Sequence, residues 1–477
     1  MNDLINKCRQ NNKKIDEMMG KSGLSIDDWI ELEGNRLKSN KKIKPLYKKD
    51  DLIDIYARYL NTRLPEINGA NACDALLEGA LHTANHLGGL YSPQSFQGDL
   101  YFGRLLDKQN KSLSCIPILS FGCVPINSST YARGIMAHTE SDAPVRIPLF
   151  SKNPPNPVAS LLGPFDITAV KRAGDKGYNT ISSYLVRKSL RRLINEVYSG
   201  DRVLSCKSFP DQVAVLAHEI YKRLPVLTLG KDFFHIEAEE IFSELFIKEA
   251  SLKDSLLNEL FTNSSFLDAI NSLKDNEGRR ISELLFRGCD REKRYFVLNL
   301  DTDGVLRGMA LDGNAEEIPY SPEALKTMLR ERQILPDVYL SWFMSGFLRG
   351  FTWYGGIFQS LYLPNWHELT LKALEASGFY DITGYGRDYD FSGYISGPIC
   401  MLFKGNEGAV PAGPLEALAK TPSEAAYENL LKTDMKSAHE MGLYEFYNDL
   451  IPSRDKNADW FRTISSYEKE HHERNVL

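Results

Sequence analysis

Ile116-Pro117-Ile118-Leu119-Ser120-Phe121-Gly122 is the stretch from which the fold class follows. It is a short apolar run between polar and turn-forming residues, and it fits a buried strand better than a helix. The strand delivers the chain to a polar loop, Asn127-Ser128-Ser129-Thr130-Tyr131-Ala132-Arg133-Gly134. Pro144, Pro148, Pro154, Pro155 and Pro157 then impose an extended, irregular path. Upstream, residues 72–86 read as a helix, because Ala75, Leu76, Gly79, Ala80 and Thr83 offer a compact packing face and Gly88-Gly89 can end it.

Further from that strand the pattern is mostly helical. Residues 1–65 alternate charged and apolar positions at helical spacing and form a helical N-terminal extension. Residues 175–285 are mainly helical, with segments at 183–198, 212–223 and 237–273. Two apolar runs, 295–300 and 305–311, flank Asp301-Thr302-Asp303-Gly304 and predict a hairpin, and a helix rich in Leu and Met starts at Pro322. Residues 66–410 make the main domain carrying the site, and residues 411–477 a helical C-terminal region with a charged, frayed tail. With no repeat and no low-complexity segment, the chain is α+β, predominantly helical, with a small buried sheet and a hairpin.

The 477 residues are 43% hydrophobic and 25% charged, which places the chain among folded globular proteins. A net charge of -6 argues against a general nucleic-acid binder. The densest basic run, Arg36, Lys38, Lys41, Lys42, Lys44, Lys48 and Lys49, suits a solvated face, although a phosphate or an acidic carrier protein would also meet it. Seven cysteines without Cys-x-x-Cys spacing read as reduced thiols, and residues 1–14 lack a secretory apolar segment, so a cytoplasmic location is expected. Residues 338–363 are apolar but contain Arg349 and Gly355-Gly356, which favours buried helices joined at glycine over a membrane span.

Groups able to move protons concentrate in His82-Thr83-Ala84-Asn85-His86-Leu87-Gly88-Gly89 and continue through Tyr91, Gln94 and Gln97 to Asp99. On a helix, His82 and His86 would project from one face. His86 can serve as general base, with His82 or Asp99 orienting it. The same spacing suits a metal, but no glutamate completes His-Glu-x-x-His, and a third ligand would have to come from His138, Asp99 or Glu140. One enzymatic reading is therefore a metal-dependent hydrolase using His82 and His86, and a non-catalytic reading is a helical binding or scaffold protein.

In the loop after the strand, Asn127, Ser128, Ser129 and Arg133 offer donors for an acyl oxyanion, a carboxylate or a phosphate. Gln359 and Tyr362, beside Gly355-Gly356, offer further contacts to a substrate. Cys123 reads as a packed thiol, and His218, His235, His471 and His472 lack a partner at metal spacing. Neither a Gly-x-Gly-x-x-Gly nor a phosphate-loop signature occurs in usable context, so no cofactor is expected.

Three segments, Thr83-Ala84-Asn85-His86-Leu87-Gly88, residues 117–134 and residues 349–364, together resemble a poorly characterised family of bacterial proteins. Their shared patterns are Asn-His-x-Gly, Asn-Ser-Ser-x-x-x-Arg-Gly and Gly-Gly-x-x-Gln-x-x-Tyr-Leu-Pro. This chain carries Leu87 where members often have a second histidine, and Ala132 where they often have proline. The resemblance implies a link to enzymes that condense amino acids in peptide natural-product pathways, with an adenylating enzyme or carrier protein as possible partner. The His-His-x-x-x-Asp-Gly pattern of carrier-dependent condensation enzymes is not present. The expectation is a cytoplasmic acyl- or aminoacyl-transferase without cofactor, nucleic-acid partner or membrane span, with His86 as base, Asn127 and Arg133 positioning the acyl donor, and Gln359 or Tyr362 on the substrate.

Overall fold

The computed structural model describes the chain except residues 68, 89–91, 127–133, 138–144, 152–155 and 406–407, and the side chains of residues 69 and 70. Its centre is a parallel sheet of β1 (Ala80–His86), β2 (Cys115–Phe121), β3 (Asp232–Glu237), β4 (Thr352–Gly355) and β5 (Ser392–Tyr394). The spatial order is β5-β4-β1-β2-β3. The chain steps outward from β1 to β2 and β3, returns across β1 to β4, and ends at β5. That is a doubly wound order, in which the connections leave β1 and β4 in opposite directions and open a crevice at their carboxyl ends.

Helices cover both faces. On one side lie α1 (Pro93–Gln109) and α2 (Phe209–Tyr221), which bring Asp99 and Tyr221 against His82 and His235. On the other lie α3 (Ala238–Ala250), whose Phe242 packs on Phe121 and Trp353, and α4 (Gln359–Ala376). Every residue of β2 is buried, as expected of a central parallel strand without a solvent face.

The α+β, mainly helical reading holds, as do the strand at residues 115–121 and the hairpin of Tyr295–Leu300 with Val305–Met309. That hairpin belongs to a five-stranded antiparallel sheet beside the parallel one. The helix from Pro322 is Pro322–Arg330. Helices Asn2–Asn11, Lys13–Met19, Ile26–Asn40 and Asp50–Arg63 make up the N-terminal segment, and their apolar side chains join the core that the later segments share.

Four local expectations need correction. The helix expected over 72–86 stops at Leu77; Gly79, at φ +78°, turns the chain, and Ala80–His86 is a strand. The region 237–273 is preceded by strand β3, which the helical reading passed over. Residues 338–363 are not two helices joined at glycine, because the buried strand β4 intervenes. There Arg349 is fully buried, ion-paired with Glu249 and hydrogen-bonded to the Met344 carbonyl at 2.9 Å. The C-terminal tail is anchored rather than frayed: the Leu477 amide donates to the Leu402 carbonyl at 2.7 Å, and the Asn475 side chain donates to the Cys400 carbonyl at 2.9 Å. Among the described residues no helix is long and apolar enough to cross a membrane.

Candidate functional site

The strand β1 carries an irregularity that shapes the site. His82 pairs with Ile118 and Asn85 with Ser120, so three steps along β1 match two along β2, and one residue is extra. In a regular strand, residues three apart face opposite sides. The bulge instead turns both His82 and Asn85 toward Asp99. Thr83 lies on the other side, where its hydroxyl meets Gln359 at 2.8 Å. His86, next after Asn85, follows the alternation onto that same opposite side.

This arrangement corrects the shared-face expectation for the histidines. Four residues along a strand span about 13 Å, against about 5–6 Å between side-chain bases one helical turn apart. With the bulge they also point to opposite faces, so His82 and His86 cannot jointly hold one metal or relay a proton directly. Among the described residues no group of three or more His, Cys, Asp and Glu side chains is placed to hold a metal ion. His138 and Glu140 lie outside the described residues.

Asp99 is the hub of a fully buried network. Its carboxylate accepts from the Asn85 amide and the Tyr221 hydroxyl, and from His235 Nε2 at 3.1 Å, while His82 Nε2 stands 3.5 Å away. On its other side, His235 Nδ1 is hydrogen-bonded with the Ser120 hydroxyl at 2.9 Å. Ser120, His235 and Asp99 thus follow one another in the order of a nucleophilic triad. Ser120 is 0% exposed, however, which puts its hydroxyl beyond reach of a substrate. Burial lowers the His82 pKa to about 4, with Asp99 opposing and His235 adding to the shift. Burial against the negative Asp99 pushes the Tyr221 hydroxyl well above its ordinary value. The network lies buried under β1.

The reactive possibilities lie at the carboxyl edge of the sheet. His86 ends β1, and burial brings its imidazole down to about 3, so it is neutral at physiological pH. Beyond β2, the backbone amides of Gly122 and Cys123 donate to the Glu239 carboxylate at 2.8 and 2.6 Å, and the Ser160 hydroxyl donates to it at 3.3 Å. A Cβ on Gly122 would strike the Ser160 hydroxyl and Leu87, so this approach needs glycine. Burial, then the neighbouring Glu237, raises Glu239 to about 7. Glu237 itself ends β3 and is ion-paired with Arg332, whose guanidinium also donates to the Ser160 carbonyl at 3.0 Å. Arg332 and Ser160 form part of the wall of a groove of about 980 Å³ between the antiparallel sheet and the start of α2.

The remaining expected residues divide. Gln359 sits at the crevice between β1 and β4, buried and bonded to Thr83. Tyr362, one turn on, leaves the crevice and packs on Trp366, ring centroids 4.3 Å apart. Asn127, Ser128, Ser129, Arg133 and Tyr91 lie outside the described residues. Cys123 is a packed thiol, its pKa driven well up by burial, and all seven cysteines are free. His235, set aside for want of a metal partner, proves to be a member of the Asp99 network. Its one sequence signal is Phe233-Phe234-His235-Ile236, a short apolar run that reads as strand once separated from the following helix. Ser120, Tyr221, Glu237, Glu239 and Arg332 carry no local signature. The chain matches no protein-family model, and no curated protein matches it.

Proposed function

We propose that the chain is an acyl- or aminoacyl-transferase that forms an amide bond, working at the carboxyl edge of the parallel sheet with His86 as the base. The observation that carries the reading is the position of His86. It ends the first strand where the order of the sheet reverses, the place where open parallel sheets receive small ligands, and its imidazole is neutral. A neutral imidazole is the form that accepts a proton, and negative charge developing on a substrate beside it raises its proton affinity. The resemblance to a poorly characterised bacterial family, which implies a link to amino-acid-condensing enzymes, favours the same reaction class.

In this reading the amine nitrogen attacks the carbonyl carbon of an activated acyl donor. A C–N bond forms, the bond to the thiolate or phosphate leaving group breaks, and the amine proton passes to His86 and then to the leaving group or to water. No oxidant or reductant is required. Asn127, Ser129 and Arg133 are assigned to the acyl donor, and Gln359 holds the crevice wall against Thr83. Asp99 acts through β1 by fixing His82 and Asn85, which sets where His86 emerges.

The test is turnover of purified protein with amino acids and either acyl-CoA thioesters or aminoacyl adenylates. His86→Ala is expected to lower the rate by about 10²-fold or more with an unchanged circular dichroism spectrum. Full activity in that variant removes His86 from the mechanism. Absence of amide product with every donor refutes the transferase reading.

A further inference from the structure

We propose that Lys49 is a site of covalent acylation: its side-chain amine, held without a carboxylate partner at the amino edge of the parallel sheet, takes acyl groups from small acyl phosphates. The proposal is independent of the transfer reading, since it needs no turnover by this chain.

The backbone fixes where the amine can go. The Lys49 carbonyl accepts from the amides of Leu52 and Ile53, both at 3.1 Å, at the start of helix Asp50–Arg63. Two residues earlier, the Tyr47 amide donates to the Leu348 carbonyl at 2.8 Å, which lays this segment along the chain entering β4. The Lys49 Nζ stands 4.9 Å from the centre of the Phe351 ring. It also meets Gly79, which leads into β1 at φ +78° and whose carbonyl accepts from the Thr352 amide at 2.9 Å. A Cβ on Gly79 would come within 2.5 Å of Nζ, so the niche exists because that residue is glycine. The amine therefore sits where β1 and β4 begin.

What it lacks is an acid. Glu78, beside Gly79, is already engaged: one carboxylate oxygen is ion-paired with Lys41, and the other accepts from the Asn110 amide at 3.1 Å. Lys49 is half-buried, and its Nζ makes no ion pair or hydrogen bond among the described residues. The Phe351 face favours an ammonium, as Glu78 does from a distance, but neither takes a hydrogen bond from Nζ, so a charged amine here loses water without replacement. Burial, and then the neighbouring Lys41, bring the amine down to about 8, with Glu78 opposing. The neutral amine is the nucleophile. Its nitrogen attacks the carbonyl carbon of the acyl phosphate, a C–N bond forms, the C–O bond to phosphate breaks, and the amine proton passes to water. The product amide is uncharged and places an acyl group beside Gly79 and Phe351, at the joint of the two strands.

The experiment is incubation of the full-length protein with acetyl phosphate over a series from about pH 6 to about pH 10, with acetylation of each lysine read by peptide mass spectrometry. Lys42 and Lys44, exposed in the same basic run, serve as references. At about pH 7.5 Lys49 is expected to react about tenfold or more faster than either, the gain in neutral amine being partly offset by the weaker nucleophilicity of a less basic nitrogen. Its rate should level off above about pH 8, while a fully solvated lysine keeps gaining to the end of the series. Lys41→Met removes the adjoining charge and frees Glu78 to pair with Lys49, so it should slow acetylation of Lys49 by about threefold or more and leave Lys44 unchanged, with circular dichroism checking the fold. In urea the advantage of Lys49 should vanish.

Acetylation of Lys49 no faster than that of Lys42 and Lys44, or a rate that climbs in parallel with theirs to the end of the series, overturns the proposal. An unaltered Lys49 rate in folded Lys41→Met does the same. So does an advantage that persists in urea, which would trace it to the local sequence instead of to the niche.

Discussion

The carboxylate of Asp99 is the single acceptor for three buried donors, and its removal in two steps has a computable consequence. In Asp99→Asn the new amide keeps one oxygen, which can still face Tyr221 and His235. Asn85 can rotate its own amide to offer an oxygen to the new NH₂ group. What is lost is the charge assistance, the difference between about 1.5–3 kcal/mol for a hydrogen bond to a charged group and about 1 kcal/mol for a neutral one. Over these contacts a destabilisation of about 2–3 kcal/mol is expected. Asp99→Ala removes every acceptor and leaves Asn85, Tyr221 and His235 buried with unpaired donors at about 1–3 kcal/mol each, so its cost, about 3–9 kcal/mol in all, should exceed that of Asp99→Asn. Urea unfolding followed by circular dichroism measures both, with the slope against denaturant expected to stay constant. The reasoning is refuted if Asp99→Ala is no worse than Asp99→Asn, or if both lie within about 1 kcal/mol of the parent, the range of an ordinary surface substitution.

Acid should destabilise the fold through its neutral histidines. His82 and His86 titrate at about 4 and about 3 when folded, below the ordinary 6.5, so their contribution is complete above pH 6.5 and is lost as pH falls toward those values. Glu239, raised to about 7, acts in the opposite sense, contributing below pH 4.5 and losing that contribution as pH rises to 7. His82→Gln should therefore flatten the acid limb of a plot of urea midpoint against pH, and an unaltered limb would show that His82 is not held neutral. Gly122→Ala, which drives a methyl group into the Ser160 hydroxyl and Leu87, should cost about 1–3 kcal/mol and shift the pH profile of any activity that depends on Glu239. A variant with parental stability and an unshifted profile would exclude this close approach.

What the chain disclosed in advance was what local pattern governs. The apolar run of β2 and the Asp-Gly hairpin carry their own signals, the first in continuous hydrophobicity and the second in turn chemistry. The strand β1 does not. Its His82, Thr83 and Asn85 are polar, and their neighbours come from other elements: Asp99, on the next helix, takes the Asn85 amide and stands 3.5 Å from His82, and Gln359, distant in sequence, meets Thr83. A window of sequence holds the residues and not the partners, so alanines and a histidine pair at helical spacing win the reading. A usable trace remained in the glycines. Gly79, Gly230 and Gly350, all at positive φ, stand one or two residues before β1, β3 and β4. Each marks the place where a preceding segment stops and a parallel strand begins, the usual role of a left-handed residue after a helix.

The candidate site was partly legible for a related reason. His86 and Asp99 fall in the polar stretch that drew attention, yet their roles separate because of one inserted residue in β1. Without the bulge, His82 and Asn85 would face opposite ways, Asp99 could not take both, and His86 would share a side with His82. The other participants, Ser120, Tyr221, His235 and Glu239, come from three later crossovers. A parallel sheet forces this convergence, because every crossover returns the chain to the same edge and every strand discharges its last polar residue there. Glu237 and Glu239 reach the neighbourhood of Gly122 by that route, with no spacing rule in the sequence to announce them. The part of the site that sequence missed is thus the part that topology makes, and the two-step removal of Asp99 probes it directly, since that side chain joins β1, β3 and the helices over them.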